Sequence, residues 1–349
     1  MLLAVGGVSP TAEPVARWIN PPLRGPIREA GYAYRPMDAK RPLRAIDGFQ
    51  QRHAALAVPV AVLRKFGDDQ GGNLAGLIAF RAFFSLFPLL LLLVTVLGYV
   101  LAGNADLRQE AVDSVLTQFP VIGEQIQVSS LEGSGIALAI GLAGSLWAGF
   151  GVVLATEHAL DRVWAVPFRD RPDFLTSRLR ALVLLLVLGS LTIASTIASG
   201  LVGGGSGLLG PVGGIAISVG INLLVFGALF SLLGAREAAF AKLLPGVVLA
   251  AVCWSGLQLG GGWFVSHEVR NATPAYGTFA LVLGLLVWIN LGATLTVLSA
   301  ELNVVRERRL WPRSLFGAER EEDERVMRAL AKAEARDDSQ RISVDFDRR

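Results

Sequence analysis

The polar side chains that could do chemistry are concentrated in one short stretch, ATEHALDRVWAVPFRDRPDF at residues 155–174. A helix would place Glu157 and Asp161, which are four residues apart, on one face, with His158 and Arg162 alongside. Two carboxylates and an imidazole could hold a metal ion or relay protons. A surface helix with a charged face and an apolar face explains the same residues, and we favour that structural interpretation. We therefore predict no catalytic residue and no metal at this cluster.

Motifs of nucleotide-binding or hydrolytic enzymes are not found elsewhere in the sequence. There is no P-loop and no G-x-S-x-G, and HEVR at 267–270 is not the zinc motif H-E-x-x-H. We expect a protein that is not an enzyme and that uses no cofactor. The alternative, a membrane-bound hydrolase or nuclease, would require Glu157, His158 and Asp161 to meet a further ligand from another loop.

Uncharged polar residues inside long apolar stretches form a second group. Asn222, Gln258 and Asn290 each lie near the middle of such a stretch. Amides in a membrane can bond across helices, contributing about 1 kcal/mol, or can line a polar path. We take these three as a candidate polar path.

Arg81 is the third feature, because it occurs in AFRAFFSLFP at residues 79–88, at the start of a long apolar run. A long side chain at the mouth of a membrane span can extend to the lipid headgroups at modest cost. Alternatively, an inward-facing arginine would bind an anionic group. Pro88 leaves a carbonyl unpaired one turn earlier, which Ser85 could relieve.

The elements that must position these residues follow from composition. The chain is 52% hydrophobic and 17% charged, and the charges are concentrated near its two ends. A soluble domain is about one quarter charged, so we predict an all-α membrane protein. The glycine-rich segment SGLVGGGSGLLGPVGG, residues 199–214, predicts a turn that divides the longest apolar window. The six predicted spans cover about 80–103, 135–155, 179–200, 213–234, 244–265 and 277–300.

The orientation follows from arginine and lysine in the short loops. The 157–178 loop has four arginines, and the 235–243 loop has Arg236 and Lys242. The alternate loops, 104–132, 201–212 and 267–276, each have at most one basic residue. Positive loops face the cytoplasm, so we expect both termini there. Although the sequence pI is about 9.3, the basic residues adjoin the membrane, so lipid headgroups rather than nucleic acid are the expected partner.

The flanking segments divide the chain further. Residues 1–45 are predicted to be a disordered basic tail, and residues 46–72 an amphipathic helix in the membrane interface, broken by Pro59. A packing helix outside the membrane is the alternative for that segment. Residues 73–303 would form the transmembrane domain, and residues 304–349 a charged, solvated tail with a helix.

Three stretches resemble the YihY/virulence factor BrkB family: NLAGLIAFRAFFSLFPLLLLLVTVLG (73–98), GSLWAGFGVVLATEHALDRVWAVPFRDRPDFLTSRL (144–179) and the segment 243–303. The resemblance covers roughly residues 60–310 and departs at Arg81, where family members commonly have an aromatic residue. The residues that carry it include Ser85, Pro88, Trp147, Pro245, Asn271, Tyr276, Gly277, Glu301 and Asn303.

The resemblance implies a multi-pass protein of the bacterial inner membrane with six spans. Some members carry the label ribonuclease BN, but the metal-activated water or acid/base pair that RNA hydrolysis needs is not visible here. We expect a transporter or lipid-handling permease of unknown substrate. The alternative is a non-transporting scaffold or envelope factor associated with virulence. Small residues permit close helix contact within or between copies, so a homo-oligomer is left open.

Overall fold

Helices account for the architecture of this chain. The computed structural model describes residues 41–100, 135–203, 209–234, 239–271, 277–314 and 321–346. Within these ranges the regular structure is helical, with one short 3-10 turn at Phe168–Asp170. The α-helices are α1 (Arg41–Arg52), α2 (Ala54–Asp68), α3 (Gly71–Val100), α4 (Gly135–Val163), α5 (Phe174–Gly203), α6 (Leu209–Leu233), α7 (Phe240–Asn271), α8 (Gly277–Glu307) and α9 (Glu321–Ala333).

The six helices α3 to α8 are long and apolar enough to cross a membrane. A hydrocarbon core about 30 Å thick needs about 20 helical residues, and all six helices exceed that length. The predicted all-α membrane fold with six spans is confirmed.

The surface of these helices is as apolar as their interior. Only 11% to 28% of each candidate span is buried inside the protein. Trp147 on α4 is 80% exposed, and Phe174 at the start of α5 is 75% exposed. In water this surface would be unfavourable, because burying apolar area contributes about 25 cal/mol per Å². Lipid removes that penalty, so the exterior also indicates a membrane protein.

Small side chains bring α7 and α8 into close contact. Ala250 and Ala251 on α7 are fully buried, and Ala300 on α8 is 1% exposed. Without water to drive association, membrane helices depend on close backbone approach for their packing energy, and small residues permit it. This pair therefore forms a tightly packed part of the bundle.

Most of the described charges lie at one end of the bundle. There α2 packs against α8, and the connection between α4 and α5 contacts the residues that follow α8. We call this region the tail end; it comprises residues 41–70, 157–180, 239–243, 301–314 and 321–346. Because six helices return the chain to the side where it entered, both terminal parts share this end.

The start of α3 differs from the predicted span. Helix α3 begins at Gly71, before the predicted start of the span near residue 80. Arg81 therefore lies about 15 Å from the start of a helix that continues to Val100. The location of Arg81 at the mouth of the membrane span stays a prediction.

The segment before the first span contains two helices where one was predicted over 46–72. They are separated at His53, whose backbone is extended (φ −116°, ψ 107°), and not at Pro59, which lies inside α2. A proline near the beginning of a helix removes one hydrogen bond to the preceding turn without ending the helix. Helix α1 begins at Arg41, inside the predicted disordered tail, and residues 1–40 lie outside the described ranges. The interfacial location of these helices stays a prediction.

The glycine-rich turn is shorter than predicted. Helix α5 continues to Gly203 and α6 begins at Leu209, so both spans extend into the glycine-rich segment. Pro211 falls in the first turn of α6, where its missing N–H would have no partner within the helix.

Helix α9 lies against the bundle, although the sequence predicts a solvated tail after residue 304. It buries Asp323, Val326 and Ala333. Its other side is exposed and carries the two ion pairs expected from the four-residue spacing, at 2.7 Å and 3.0 Å. The tail is therefore docked on one face and solvated on the other.

Candidate functional site

A cavity of about 570 Å³ lies between the six long helices. Ligand pockets usually measure about 300–1,000 Å³, so a small molecule or part of a lipid would fit. Every one of the helices α3 to α8 contributes to its wall. The described lining residues include Ile78, Ala82, Val152, Thr156, Leu188, Ser218, Asn222, Phe226, Trp254, Gln258, Trp288, Gly292 and Thr296.

Two of the three amides of the predicted polar path meet in this cavity. Asn222 Nδ2 on α6 donates to Ser255 Oγ at 2.9 Å and to Gln258 Oε1 at 3.1 Å, both on α7. Ser255 Oγ in turn donates to the carbonyl of Ala251 at 2.8 Å. Both hydrogens of the Asn222 amide are thereby used. Its carbonyl oxygen and the Gln258 NH₂ group stay free of described protein partners, so they can bind a ligand.

The third amide, Asn290, is not among the described lining residues. Helix α8 faces the cavity with Trp288, Gly292 and Thr296 instead. On a helix, a residue two positions from Trp288 points to a different side. The structure thus brings Asn222 and Gln258 together but leaves Asn290 apart from them.

An aromatic wall faces the amides. Trp254 packs edge-on against Phe226, with ring centroids 6.4 Å apart. Its ring fits only because position 292 is glycine, since a Cβ there would lie 2.2 Å from Trp254 Cζ3. The cavity therefore offers stacking surface and hydrogen-bonding groups side by side, as a site for an amphiphilic molecule would.

The rest of the cavity lining is mostly apolar, with a few hydroxyl groups and no charge among the described residues. Thr156 and Thr296 hydroxyls donate to carbonyls one turn earlier, at 3.0 Å and 2.9 Å, so their oxygens remain as acceptors. None of the described lining residues carries a formal charge. A bound group would therefore be held by neutral hydrogen bonds and apolar contact.

Arg81 lies on the outside of the bundle and not in the cavity. Its side chain is exposed and crosses Gly151 of α4, with Cδ and Nη1 each 3.4 Å from where a Cβ would stand. Its chain neighbour Ala82 lines the cavity on the opposite side.

A buried ion network at the tail end was not predicted. Lys65 is 3% exposed, and its Nζ lies 2.9 Å from Glu301 Oε2 and donates to the Val163 carbonyl at 2.8 Å. The same ammonium bonds to Asp69. Glu301 and Asp69 are at most 1% exposed, and Asp69 Oδ1 and Glu301 Oε1 have no hydrogen-bond partner within the described ranges. The four-residue spacing of Lys65, in the last turn of α2, and Asp69, directly after its end, was a signal for part of this network.

Two arginines extend the network into the tail. Arg308 Nη2 donates to the Trp164 carbonyl at 2.5 Å; burial lowers the pKa of its guanidinium, and the Asp69 charge opposes that shift. Arg313 is 2% exposed and pairs with Asp68 at 2.7 Å and with Asp323 of α9 at 2.5 Å. The tail is thus held to α2 and to the connection after α4.

Motif residues that are far apart in sequence contact each other. The Gly246 N–H, next to Pro245 in α7, donates to Asn303 Oδ1 of α8 at 2.7 Å. A Cβ at position 246 would lie 2.3 Å from the Ser299 carbonyl oxygen. Only glycine permits this approach, so the motif around Pro245 and the motif that contains Asn303 form one contact between α7 and α8.

The motif around Pro88 makes a similar contact. The Pro88 carbonyl accepts a hydrogen bond from Ser145 Oγ of α4 at 2.9 Å, while Ser85 Oγ donates to the Ala82 carbonyl at 2.7 Å. The carbonyl that Pro88 leaves without a helical partner is that of Phe84, so Ser85, which bonds to Ala82 instead, does not relieve it as expected.

The stretches that contain these motifs lie within the match to a known protein family. The family model described as Virulence factor BrkB matches residues 62–324. The chain belongs to the virulence factor BrkB family. The match covers more than half of the chain and confirms the resemblance seen in the sequence.

Individual relatives are distant but cover most of their own length. Inner membrane protein YhjD of Escherichia coli (strain K12) is 25% identical over 275 residues, which is 72% of this chain and 81% of YhjD. The UPF0761 membrane protein PSHAa0171 of Pseudoalteromonas translucida is 26% identical over 67% of this chain and 81% of its own. The ribonuclease-like protein YfkH of Bacillus subtilis is 22% identical over 257 residues, which is 69% of this chain and 91% of YfkH. No solved structure matches the chain.

The charged cluster of this BrkB-family chain does not converge on one point. Glu157 is buried, whereas His158 is exposed. Asp161 lies 3.9 Å from Arg171, and Arg162 lies 3.2 Å from Glu334 of the tail. The described part of the chain contains no group of three or more His, Cys, Asp or Glu residues that could hold a metal.

The other motif positions of the BrkB family are spread over the fold. Trp147 faces outward, and Glu301 belongs to the buried ion network. Asn271 ends α7 and Gly277 begins α8, while Tyr276 lies outside the described ranges. These positions therefore do not form a single site.

Proposed function

We propose that this protein is a transporter or lipid-handling permease of the bacterial inner membrane. The observation that supports this best is the cavity lined by the six helices α3 to α8. It has an aromatic wall and amide groups without further partners among the described residues. Polar groups in the hydrocarbon region cost free energy unless they are hydrogen-bonded, and a bundle that only anchors a scaffold gains nothing from enclosing them. A path for a molecule with polar and apolar parts accounts for both the amide groups and the aromatic wall.

We infer that both termini are cytoplasmic. The tail end carries the arginines of the connection between α4 and α5, including Arg162, Arg169, Arg171 and Arg178. Short loops rich in arginine face the cytoplasm in bacterial membrane proteins. A location in the inner membrane is supported by the similarity to YhjD, which is named as an inner membrane protein.

The proposal is tested by filling the cavity. Ala293 lines it and is 6% exposed, so Ala293→Trp places an indole in the space. Ala139→Trp on the exposed surface of α4 is the matched control. Purified protein in proteoliposomes would be assayed for movement of fluorescent phospholipids between leaflets and for uptake of a panel of small solutes.

We expect wild type and Ala139→Trp to move at least one class of compound, and Ala293→Trp to fall to the level of protein-free vesicles. Thermal unfolding in detergent would verify that both variants are folded. If wild type moved neither lipids nor solutes, or if Ala293→Trp were fully active, the transport proposal would fail and a membrane scaffold or envelope factor would be the better interpretation.

A further inference from the structure

The cavity between the long helices has a polar level and an aromatic level, one helical turn apart. On α6, Asn222 precedes Phe226 by four residues, and on α7, Trp254 precedes Gln258 by the same number. Residues with this spacing lie on one face of a helix, about 6 Å apart along its axis. At one level Asn222 bonds to Gln258 at 3.1 Å. At the other, the Phe226 and Trp254 rings meet edge-on, with centroids 6.4 Å apart.

The direction of hydrogen bonding at the polar level is set by the backbone of α7. Ser255 Oγ has one hydrogen, which it donates to the Ala251 carbonyl at 2.8 Å. The hydroxyl oxygen therefore accepts from Asn222 Nδ2, at 2.9 Å. The second hydrogen of that amide goes to Gln258 Oε1. Because the carbonyl end of Gln258 is occupied in this way, its NH₂ end is the part that is offered to a ligand.

Gln258 is also the accessible member of this hydrogen-bonded chain. Asn222 and Ser255 are 7% and 9% exposed, whereas Gln258 is exposed and lines the cavity. A donor that a buried network holds in one orientation loses little freedom when it meets an acceptor. Asn222 is thus a positioning residue, and Gln258 is the residue that contacts the ligand.

We propose that Gln258 donates to an ester carbonyl of a membrane glycerolipid, with the adjoining acyl chain beside Trp254. An ester group accepts hydrogen bonds and has none to donate, and it lies where the polar part of a lipid meets its hydrocarbon part. The polar and aromatic levels of the cavity have the same order. A phosphate would be better served by a cation, whereas a neutral N–H satisfies an ester carbonyl. The inference rests on the proposed function, since it names the chemical group that the same cavity recognises.

Lipid selection by the purified full-length protein is measured by native mass spectrometry. Delipidated protein is incubated with an equimolar mixture of a diacyl phosphatidylethanolamine and its dialkyl ether analogue, which differ only in the ester carbonyls. A neutral hydrogen bond contributes enough for a preference of about fivefold. We expect wild type to retain the ester lipid over the ether lipid by that factor, and Gln258→Met to retain both equally. A general loss of affinity alone does not change this ratio.

Two further variants show whether the selection comes from the cavity. Asn290→Met removes an amide of α8 that is not among the described lining residues and should keep the wild-type ratio. Ala293→Trp fills the cavity and should abolish the preference. If Gln258→Met does not fold, Gln258→Leu takes its place. Equal retention of both lipids by wild type, or an unchanged preference in a folded Gln258 variant, would overturn the assignment.

The binding ratio and the transport assay can fail separately. An ester preference in a wild-type protein that moves neither lipids nor solutes would support the role of Gln258 and refute only transport. Movement of lipids by a wild-type protein without an ester preference would refute the role of Gln258 and leave transport standing.

Discussion

Replacing Lys65 with methionine removes an ammonium that lies between two buried carboxylates. Lys65 Nζ contacts Asp69, Glu301 Oε2 at 2.9 Å and the Val163 carbonyl at 2.8 Å. Removing one partner of a buried ion pair costs about 3–5 kcal/mol, because the remaining charge has neither water nor a counter-ion. Here two carboxylates would be left, so we expect Lys65→Met to destabilise the protein by at least about 3 kcal/mol.

The opposite substitution, Glu301→Gln, should cost much less. Glutamine has nearly the same shape, and the Lys65–Asp69 pair remains with one charge of each sign. A neutral hydrogen bond replaces an ionic one, a loss of about 1 kcal/mol. The difference between the two variants, about 2 kcal/mol or more, therefore measures how far Lys65 is shared by both carboxylates.

Reversible unfolding in mixed micelles, with detergent as denaturant and helicity as the signal, measures both free energies. Lys242→Met is the matched control, since Lys242 pairs with Glu307 at 2.6 Å but is 53% exposed. An exposed pair contributes at most about 1 kcal/mol. If Glu301→Gln were as destabilising as Lys65→Met, the idea that one ammonium balances two carboxylates would be refuted.

Three further substitutions probe other contacts. Gly246→Ala should destabilise by about 1–3 kcal/mol, because a Cβ 2.3 Å from the Ser299 carbonyl oxygen forces α7 and α8 apart; a fall in the melting temperature checks this. Arg313→Met should release α9, which limited trypsin digestion would detect as faster cleavage within that helix, whereas wild type stays protected. Asn222→Ala removes two hydrogen bonds between α6 and α7 and should cost about 1 kcal/mol in the same unfolding assay.

The membrane fold was predictable because hydropathy is averaged over whole helices. A window of about 20 apolar residues is unfavourable in water whatever its neighbours are, so six spans could be counted without knowing their contacts. The ends of the helices were less certain. Polar residues such as Asn73 do not stop a helix, and α3 therefore begins at Gly71, before the apolar run starts.

Which side of a helix faces which neighbour could not be predicted in the same way. Asn222, Gln258 and Asn290 look alike in sequence, yet only the first two line the cavity. Lys65 and Arg64 are adjacent basic residues, but Lys65 is buried and Arg64 is not. In an apolar span, the periodicity that reveals the buried face of a soluble helix is missing, because lipid and core are equally apolar.

Helix α8 connects the cavity to the ion network at the tail end. Thr296 lines the cavity, and Glu301 follows about one and a half turns later, about 7.5 Å along the axis. Asn303, half a turn further on, holds the backbone of α7 at Gly246. A rotation or shift of α8 that widened the cavity toward the tail end would therefore separate Glu301 from Lys65 and Asn303 from Gly246. Since a buried ion pair is costly to break, we expect the tail end to stay closed unless another charge replaces one of these partners, and variants that weaken the Lys65–Glu301 pair should open that end most easily.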